Sequence, residues 1–227
     1  SPIRKKTRSN LPIIYEDNDI IVINKPSKLL SVPSDNEKGS TAFRMVNDYL
    51  QQKDKHNRAF IVHRLDEDTS GVLMFAKNDK MARALTDGDN WNNLVKKRGY
   101  YAIVEGTLKN KEGTIRSYLK KNSQNMMYSS KKKGDGQLAI ADCKVIKVNQ
   151  NCTCVDVDIK TGRKNQIRVH FGDLGHFIIG DDKYGEPSNP IKRLGLHAYE
   201  LDIIHPFTGK SMKFKAPIPS EFSNLFK

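Results

Sequence analysis

Residues 139–160 read AIADCKVIKVNQNCTCVDVDIK. Two runs rich in β-branched residues flank the polar triplet NQN, the pattern of two antiparallel strands joined by a short link. No other stretch narrows the fold as much, because most other apolar runs in the chain have the same character. IIVIN (20–24) is a short buried strand ended by KPSK. AFIVHRL (59–65) and GVLMFAK (71–77) read as two strands around a polar knot. GYYAIVEGTL (99–108), GTIRSYL (113–119), LHAYELDIIHP (196–206) and KSMKFKAP (210–217) are further strands. Helical spacing is rarer. TAFRMVNDYLQQK (41–53) places Phe43, Val46, Tyr49 and Leu50 at helical steps behind Ser40 or Thr41 as N-cap. DKMARAL through NWNNLVKK (79–97) reads as helix broken at DGD. In TGRKNQIRVHFGDLG (161–175), Ile167, His170 or Phe171, and Leu174 recur at helical steps and Gly175 supplies a stop. SEFSNLF (220–226) closes with a short helix capped by Ser220. The class is α+β: a mixed, mostly antiparallel sheet with flanking helices. Strict βαβ alternation is missing, which disfavours a doubly wound parallel sheet. Neither G-x-G-x-x-G nor a Walker A loop occurs, which argues against dinucleotide and ATP chemistry.

The chain's 227 residues suffice for one large domain, or two subdomains sharing a core. Its net charge is +13, from 39 Lys and Arg against 26 Asp and Glu. The basic residues cluster, in RKKTR (4–8), KKR (96–98), KK (120–121) and KKK (131–133). Clustered cations attract polyanions and release their counterions, so RNA or DNA is the natural partner. An anionic membrane surface would also suit the charge, but no basic amphipathic helix is visible, and no apolar run approaches the roughly 20 residues that span a bilayer. The opening SPIRKKTRSN is charged and leads into no apolar stretch, unlike a secretory leader. It starts without Met, so a trimmed or tagged N-terminus is expected. Residues 1–11 read as a basic linker or tail, and 12–227 as the folded unit. Three cysteines, Cys143, Cys152 and Cys154, suit a reducing compartment and hence a cytoplasmic protein. CTC plus one distant Cys is not zinc spacing, so core cysteines are the expectation. The Asp pair in GDD (180–182) reads as a capped turn. His170, His176, His197 and His205 are too scattered for a metal set, and no metal is expected.

The polar knot HRLDEDTSG (63–71) carries the first candidate for chemistry. Asp, Thr, Ser and Gly are turn formers, and Glu67 and Asp68 read as loop residues on that ground. Asp66 differs, because it follows Leu65 at the end of an apolar run, where a strand leaves the core, with His63 and Arg64 just before it. A carboxylate beside guanidinium groups stays ionised and is oriented by them, as a nucleophile or base requires. Arg168 borders the apolar stripe at Ile167. An arginine at the edge of a buried face needs a partner, and Asp66 would fit. In GYYAIVEG, Tyr100 and Tyr101 point to opposite faces of a strand, so one of them should face a cleft. The residues alone do not say which.

HRLDEDTSG (63–71), RGYYAIVEG (98–106), TGRKNQIRVHFGDLGHFIIGDDKYG (161–185) and RLGLHAYELDIIHPFTG (193–209), together with INKPSKLLSVPS (23–34), resemble the RluA-type pseudouridine synthases in order and spacing. The resemblance covers nearly the whole chain beyond about residue 12. It implies the family's catalytic fold, with two subdomains around a central RNA-binding cleft. It implies isomerisation of uridine to pseudouridine in ribosomal or transfer RNA; a monomer is expected. By position, Asp66 matches the catalytic aspartate. Tyr100 matches the aromatic that stacks on the base and serves proton transfer at C5, and Arg168 the arginine that pairs with the aspartate. Arg64 matches the residue that fills the gap left by the flipped nucleotide, and His63, Thr69, Arg163, Lys164 and Gln166 are expected to contact RNA with it. Glu67 stands where Arg or Lys is frequent, Asn165 where His is usual and Arg98 where Lys is common, departures that touch RNA contacts rather than catalytic groups. The family often carries an S4-like domain ahead of the catalytic part; RKKTRSNLP (4–12) would be the linker to it. The reaction involves no redox change and no net hydrolysis, so no cofactor is needed. The competing class is a nonenzymatic RNA-binding protein or chaperone derived from a synthase. It explains the charge but does not require Asp66, Tyr100 and Arg168 together.

Overall fold

The computed structural model describes residues 11–34, 40–185 and 187–227. The basic run at 4–8, read above as a linker, lies outside them. The strands are β1 (Ile13–Glu16), β2 (Ile20–Lys25), β3 (Phe60–Ile61), β4 (Ser70–Ala76), β5 (Val95–Glu105), β6 (Glu112–Lys121), β7 (Met127–Ser129), β8 (Gln137–Val148), β9 (Cys152–Ile159), β10 (Leu196–Ile204) and β11 (Ser211–Lys215). The helices are α1 (Ala42–Gln51), α2 (Asp79–Thr86), α3 (Asn90–Leu94), α4 (Gln166–Asp173) and α5 (Ser220–Asn224). All the strands join one sheet, in the order β1-β2-β4-β10-β5-β9-β8-β6-β7, with β11 on β10 and β3 on β4. The fold is α+β, as the sequence indicates, and every strand pair but one is antiparallel.

The exception is a parallel seam between β4 and β10, which pairs only Ser70 with His197 and Gly71 with Ala198. Backbone meets backbone there. A Cβ on Gly71 would lie 2.0 Å from the Ala198 carbonyl oxygen, and Gly71 has φ +120. Glycine is therefore required at the seam by both space and conformation. The Ser70 hydroxyl reinforces the junction with hydrogen bonds to His197 Nδ1 (2.7 Å) and from Arg193 Nη2 (2.8 Å).

Both faces of the sheet are covered. In β2 and β4 the alternation splits evenly: Ile20, Val22, Val72 and Met74 pack with Met81 and Leu85 of α2. Ile21, Ile23, Leu73 and Phe75 pack with Ala42, Val46 and Leu50 of α1. A strand buried on both faces must read as a continuous apolar run, which is why IIVIN shows no alternation. Each such side chain contributes about 1.5–3 kcal/mol by leaving water. Thr41 caps α1, accepting the Arg44 N–H at 3.1 Å, and Asn78 caps α2 through Met81 N–H at 2.8 Å. Helix α4 lies on the α1 side of the sheet, with Ile167 and Phe171 against Ala102, Val104, Val155 and Val157. Cys152 and Cys154 are buried core thiols, and Cys143 is half-buried.

Four local expectations are corrected. The helix expected through residue 97 stops at Leu94, because Val95 and Lys97 pair with Ile203 and Asp202 of β10 and so begin β5. The strand expected over 59–65 is only Phe60–Ile61; past it, His63 Nε2 accepts the Met74 N–H at 2.9 Å, and an imidazole replaces a ladder carbonyl. Helix α4 is buried all round from Gln166 to Phe171, while Leu174, expected in its apolar stripe, is exposed. Ser220 is the first helical residue of α5 and not its cap; Pro219 precedes it and no side chain caps the helix.

Candidate active site

Residues 62–69 leave the sheet where His63 takes the place of a backbone acceptor, and three anchors then hold the loop. The Ser31 hydroxyl donates to Leu65 O (2.7 Å) and accepts from Leu65 N–H (3.0 Å). Ser27 donates to Asp68 O at 2.7 Å. Lys25, fully buried, donates from Nζ to the carbonyls of Pro26, Leu29 and Glu67 at 2.6–2.9 Å. Burial pushes the Lys25 pKa down to about 8, partly offset by Asp68. Within the loop, Thr69 N–H donates to Asp66 O at 3.1 Å, closing a turn. The Asp66 carboxylate, 31 % exposed, is thus presented on a braced backbone.

It faces residues from the other half of the sheet. Arg168 Nη1 lies 3.9 Å from Asp66 Oδ2. That is a long contact, and the expected pairing of these two is only partial: the guanidinium forks onto Asp181, with Nη2–Oδ1 at 2.6 Å and Nε–Oδ2 at 3.2 Å. Asp181 has no exposed surface, and its Oδ1 also accepts the N–H groups of Lys183 and Tyr184. It caps the turn read from GDD and is also the principal partner of Arg168. Burial opposes the charge on Arg168, but Asp181, then Asp66 and Asp68, outweigh it and raise its pKa. The direct contact to Asp66 comes instead from Asn165, whose Nδ2 donates to Oδ2 at 2.6 Å.

Of the two tyrosines on β5, Tyr100 faces the cleft. It packs where the α1 and α4 clusters meet, while Tyr101 stacks on Tyr199 on the opposite face, ring centroids 4.0 Å apart. Burial, then the charge of Asp66, pushes the Tyr100 pKa up to about 12, so the phenol is neutral at physiological pH. The cleft over the seam has a volume of about 740 Å³ and is lined by Asp66, Tyr100, Arg168, Trp91 and Arg98, among others. That is within the range of small-ligand pockets and large enough for a nucleotide.

The six other expected residues also border this cleft, in two roles. Arg64 and Lys164 are exposed at its mouth. Arg163 is half-buried, its Nε donating to Leu138 O at 2.9 Å. His63, Thr69 and Gln166 belong to the wall. Gln166 Oε1 accepts from Thr161 Oγ1 and Arg163 N–H, and its Nε2 donates to Ile140 O. The ring of His63 stacks on Trp91 at 4.9 Å. Burial, then Arg98, lowers the His63 pKa to about 3, so it is neutral. Arg98 lies over the 161–163 loop because Gly162 has no side chain; a Cβ there would meet its Nη1 at 2.5 Å. Sequence reasoning missed the use of Asp181 and Asn165, and Trp91 and Lys121 in the cleft wall. Trp91 in NWNNL gave no signal beyond helix. Among the described residues, no group of three His, Cys, Asp or Glu is placed to hold a metal ion, and no helix is long and apolar enough to cross a membrane.

Residues 19–173 match the family described as RNA pseudouridylate synthase, a segment running from the start of β2 to the last residue of α4. The chain is 36% identical over 217 residues to the uncharacterized RNA pseudouridine synthase YjbO of Bacillus subtilis, covering 96% of this chain and 76% of that one. It is 32% identical over 229 residues to ribosomal large subunit pseudouridine synthase D of Neisseria meningitidis, covering 95% of this chain and 60% of that protein. The solved structure of human RNA pseudouridylate synthase domain containing 1 superposes with a TM-score of 0.74 at 25% identity, over 96% of this chain and 87% of that one. A match over most of the chain that includes Asp66, Tyr100 and Arg168, and relatives that run nearly the chain's full length, establish that this chain belongs to the RNA pseudouridylate synthase family.

Proposed function

We propose that this protein converts specific uridines in RNA to pseudouridine, with Asp66 as the carboxylate that acts on an extruded uridine. The observation that carries the reading is the setting of Asp66: partly exposed in a nucleotide-sized cleft, on a braced loop, beside Arg168 and sharing the cleft with Tyr100. The reaction breaks the C1′–N1 bond, turns the uracil and rejoins it through C5. A carboxylate can attack C1′, add to C6 of the ring or remove the C2′ proton. Each route needs a uridine taken out of its stack and seated against the protein. Tyr100 offers a neutral flat face for the base and relays the C5 proton. Arg168 stabilises the negative charge of the detached uracil. Arg64 fills the gap left by the flipped nucleotide, Lys164 and the half-buried Arg163 contact the RNA, and His63, Thr69 and Gln166 form the wall against which it lies. The substrate is ribosomal or transfer RNA, the former favoured by the name of the Neisseria relative. The protein works as a monomer in the cytoplasm.

The test is Asp66→Asn assayed by tritium release from RNA carrying 5-tritiated uridine. Turnover is expected to vanish while folding and RNA affinity persist. Near-normal release would refute the reading. Inertness of the unaltered protein on every ribosomal and transfer RNA tried would favour the RNA-chaperone alternative.

A further inference from the structure

Asn165 occupies the N-cap position of α4 yet makes no capping bond from its side chain. Asparagine is among the best N-caps when its backbone is extended. Here φ is 55° and ψ 24°, in the left-handed region that few residues other than Gly, Asn, Asp and His visit. That backbone turns the amide away from the helix and toward Asp66. The side chain is 6 % exposed and every bond it makes is polar. Lys183 Nζ (2.9 Å) and Tyr184 Oη (2.7 Å) both donate to Oδ1. With Oδ1 claimed by two donors, Nδ2 must face Asp66 Oδ2, at 2.6 Å. The flipped amide would oppose the Lys183 ammonium with its NH₂ and the Asp66 carboxylate with its oxygen, two mismatches in a buried site.

From this we infer that Asn165 is the positioning residue of the reaction: it ties down Oδ2 of Asp66 by a charge-assisted hydrogen bond and leaves Oδ1 as the oxygen that meets the uridine. Arg168 cannot fill this role, because its fork is committed to Asp181 and its approach to Asp66 is 3.9 Å. Oδ1 of Asp66 has no hydrogen-bond partner among the described residues. The inference rests on Asp66 being the acting carboxylate. The charged and titratable groups that face the pair are Lys25 from β2, Asp68 in the same loop, Tyr100 from β5, Arg168 from α4, and Asp181, Lys183 and Tyr184 from the 181–184 turn.

The experiment measures single-turnover rates against pH on RNA with 5-tritiated uridine, with RNA affinity measured in parallel. Asn165→Ala deletes the donor and is expected to slow the chemical step about 10- to 100-fold, the worth of a hydrogen bond to a charged group, with RNA affinity within about twofold. Asn165→Asp sets a second carboxylate against Asp66, with Lys183 and Tyr184 stabilising the new charge. The acid limb of the rate profile should then move up by at least about one pH unit. A merely structural role would lower stability without moving that limb. If Asn165→Asp does not fold, Tyr184→Phe removes one lock on the amide without touching Asp66, and a several-fold slower rate at unchanged RNA affinity is expected. Wild-type rates and profile in the variant measured, or a loss confined to RNA affinity, overturn the inference. Asp66→Asn is run alongside: activity there refutes the reading of Asp66 itself, while loss there with unperturbed Asn165 variants refutes only the role of Asn165.

Discussion

Replacing Arg168 by Met removes the cation opposite a carboxylate that has no exposed surface. Arg168 is 5 % exposed and Asp181 0 %, so the pair sits wholly in the protein. Breaking one side of such a pair costs about 3–5 kcal/mol, because the charge left behind has lost its counterion and cannot reach water. The N–H groups of Lys183 and Tyr184 remain on Asp181 and soften the loss, which places the expected destabilisation near the lower end. For a chain of this size that is a large share of the roughly 5–15 kcal/mol that holds a domain folded. Arg168→Met is therefore expected to lose turnover and about 3 kcal/mol of stability together, and a single variant cannot separate them. Adding Asp181→Asn removes the stranded charge. In urea unfolding the double variant should recover about 1–2 kcal/mol of the loss, the remainder being the missing hydrogen bonds. In single-turnover assays it should stay slow, since the cation beside Asp66 is still absent. Recovery of both stability and rate would refute the reasoning, and would mean that Arg168 serves Asp181 alone.

Three other outcomes follow from the structure. Gly71→Ala drives a methyl group into the Ala198 carbonyl at 2.0 Å on a φ of +120; a loss of more than about 3 kcal/mol is expected by urea unfolding, and a near-neutral result would mean the seam opens readily. His63, His170 and His197 are all held neutral by burial, with pKa values lowered to about 3, 4 and 4. Unfolding lets them bind protons below about pH 6.5, so stability is intact above that pH and falls as pH drops toward 4. The slope should approach ~4 kcal/mol per unit near pH 5, and unfolding midpoints that stay flat between pH 7 and 5 would contradict it. Lys164→Ala should reduce the slope of log affinity against log salt by roughly 0.7–0.9 in RNA-binding titrations, without changing the chemical rate at saturation; an unchanged slope would remove Lys164 from the RNA path.

The outline of the sheet was legible because its strands obey local chemistry: β8 and β9 declare themselves by β-branched runs around NQN, and IIVIN by its unbroken apolarity. What was not legible depends on partners remote in sequence. VKK looks helical beside NWNNL until β10 pairs with it. His63 is expected in a strand over 59–65, and only its bond from Met74 N–H shows that its ring, not its backbone, meets the sheet. The candidate site divides in the same way. Asp66 was marked by its place at the end of an apolar run, and Tyr100 as one of two tyrosines on opposite faces. Asp181 lies 13 positions beyond Arg168 in a turn whose local chemistry already explained it, so nothing exposed its second task. Asn165 was visible only as a departure from a pattern, because a left-handed backbone is not written in residue type alone.

The parallel seam has a kinetic consequence. Ser70 and His197, which meet there, are 127 positions apart, and the adjoining β10–β5 ladder also joins remote residues, such as Leu196 and Ala102, whereas β2 and β4 are nearer neighbours in the chain. Loops of that length close slowly and gain little until they do. Asp66 arrives on one bank of this junction, Tyr100 and Arg168 on the other. A chain regaining its shape from urea therefore acquires the circular dichroism of its local hairpins first and its turnover last, and the interval between the two signals times the docking of β10 between β4 and β5.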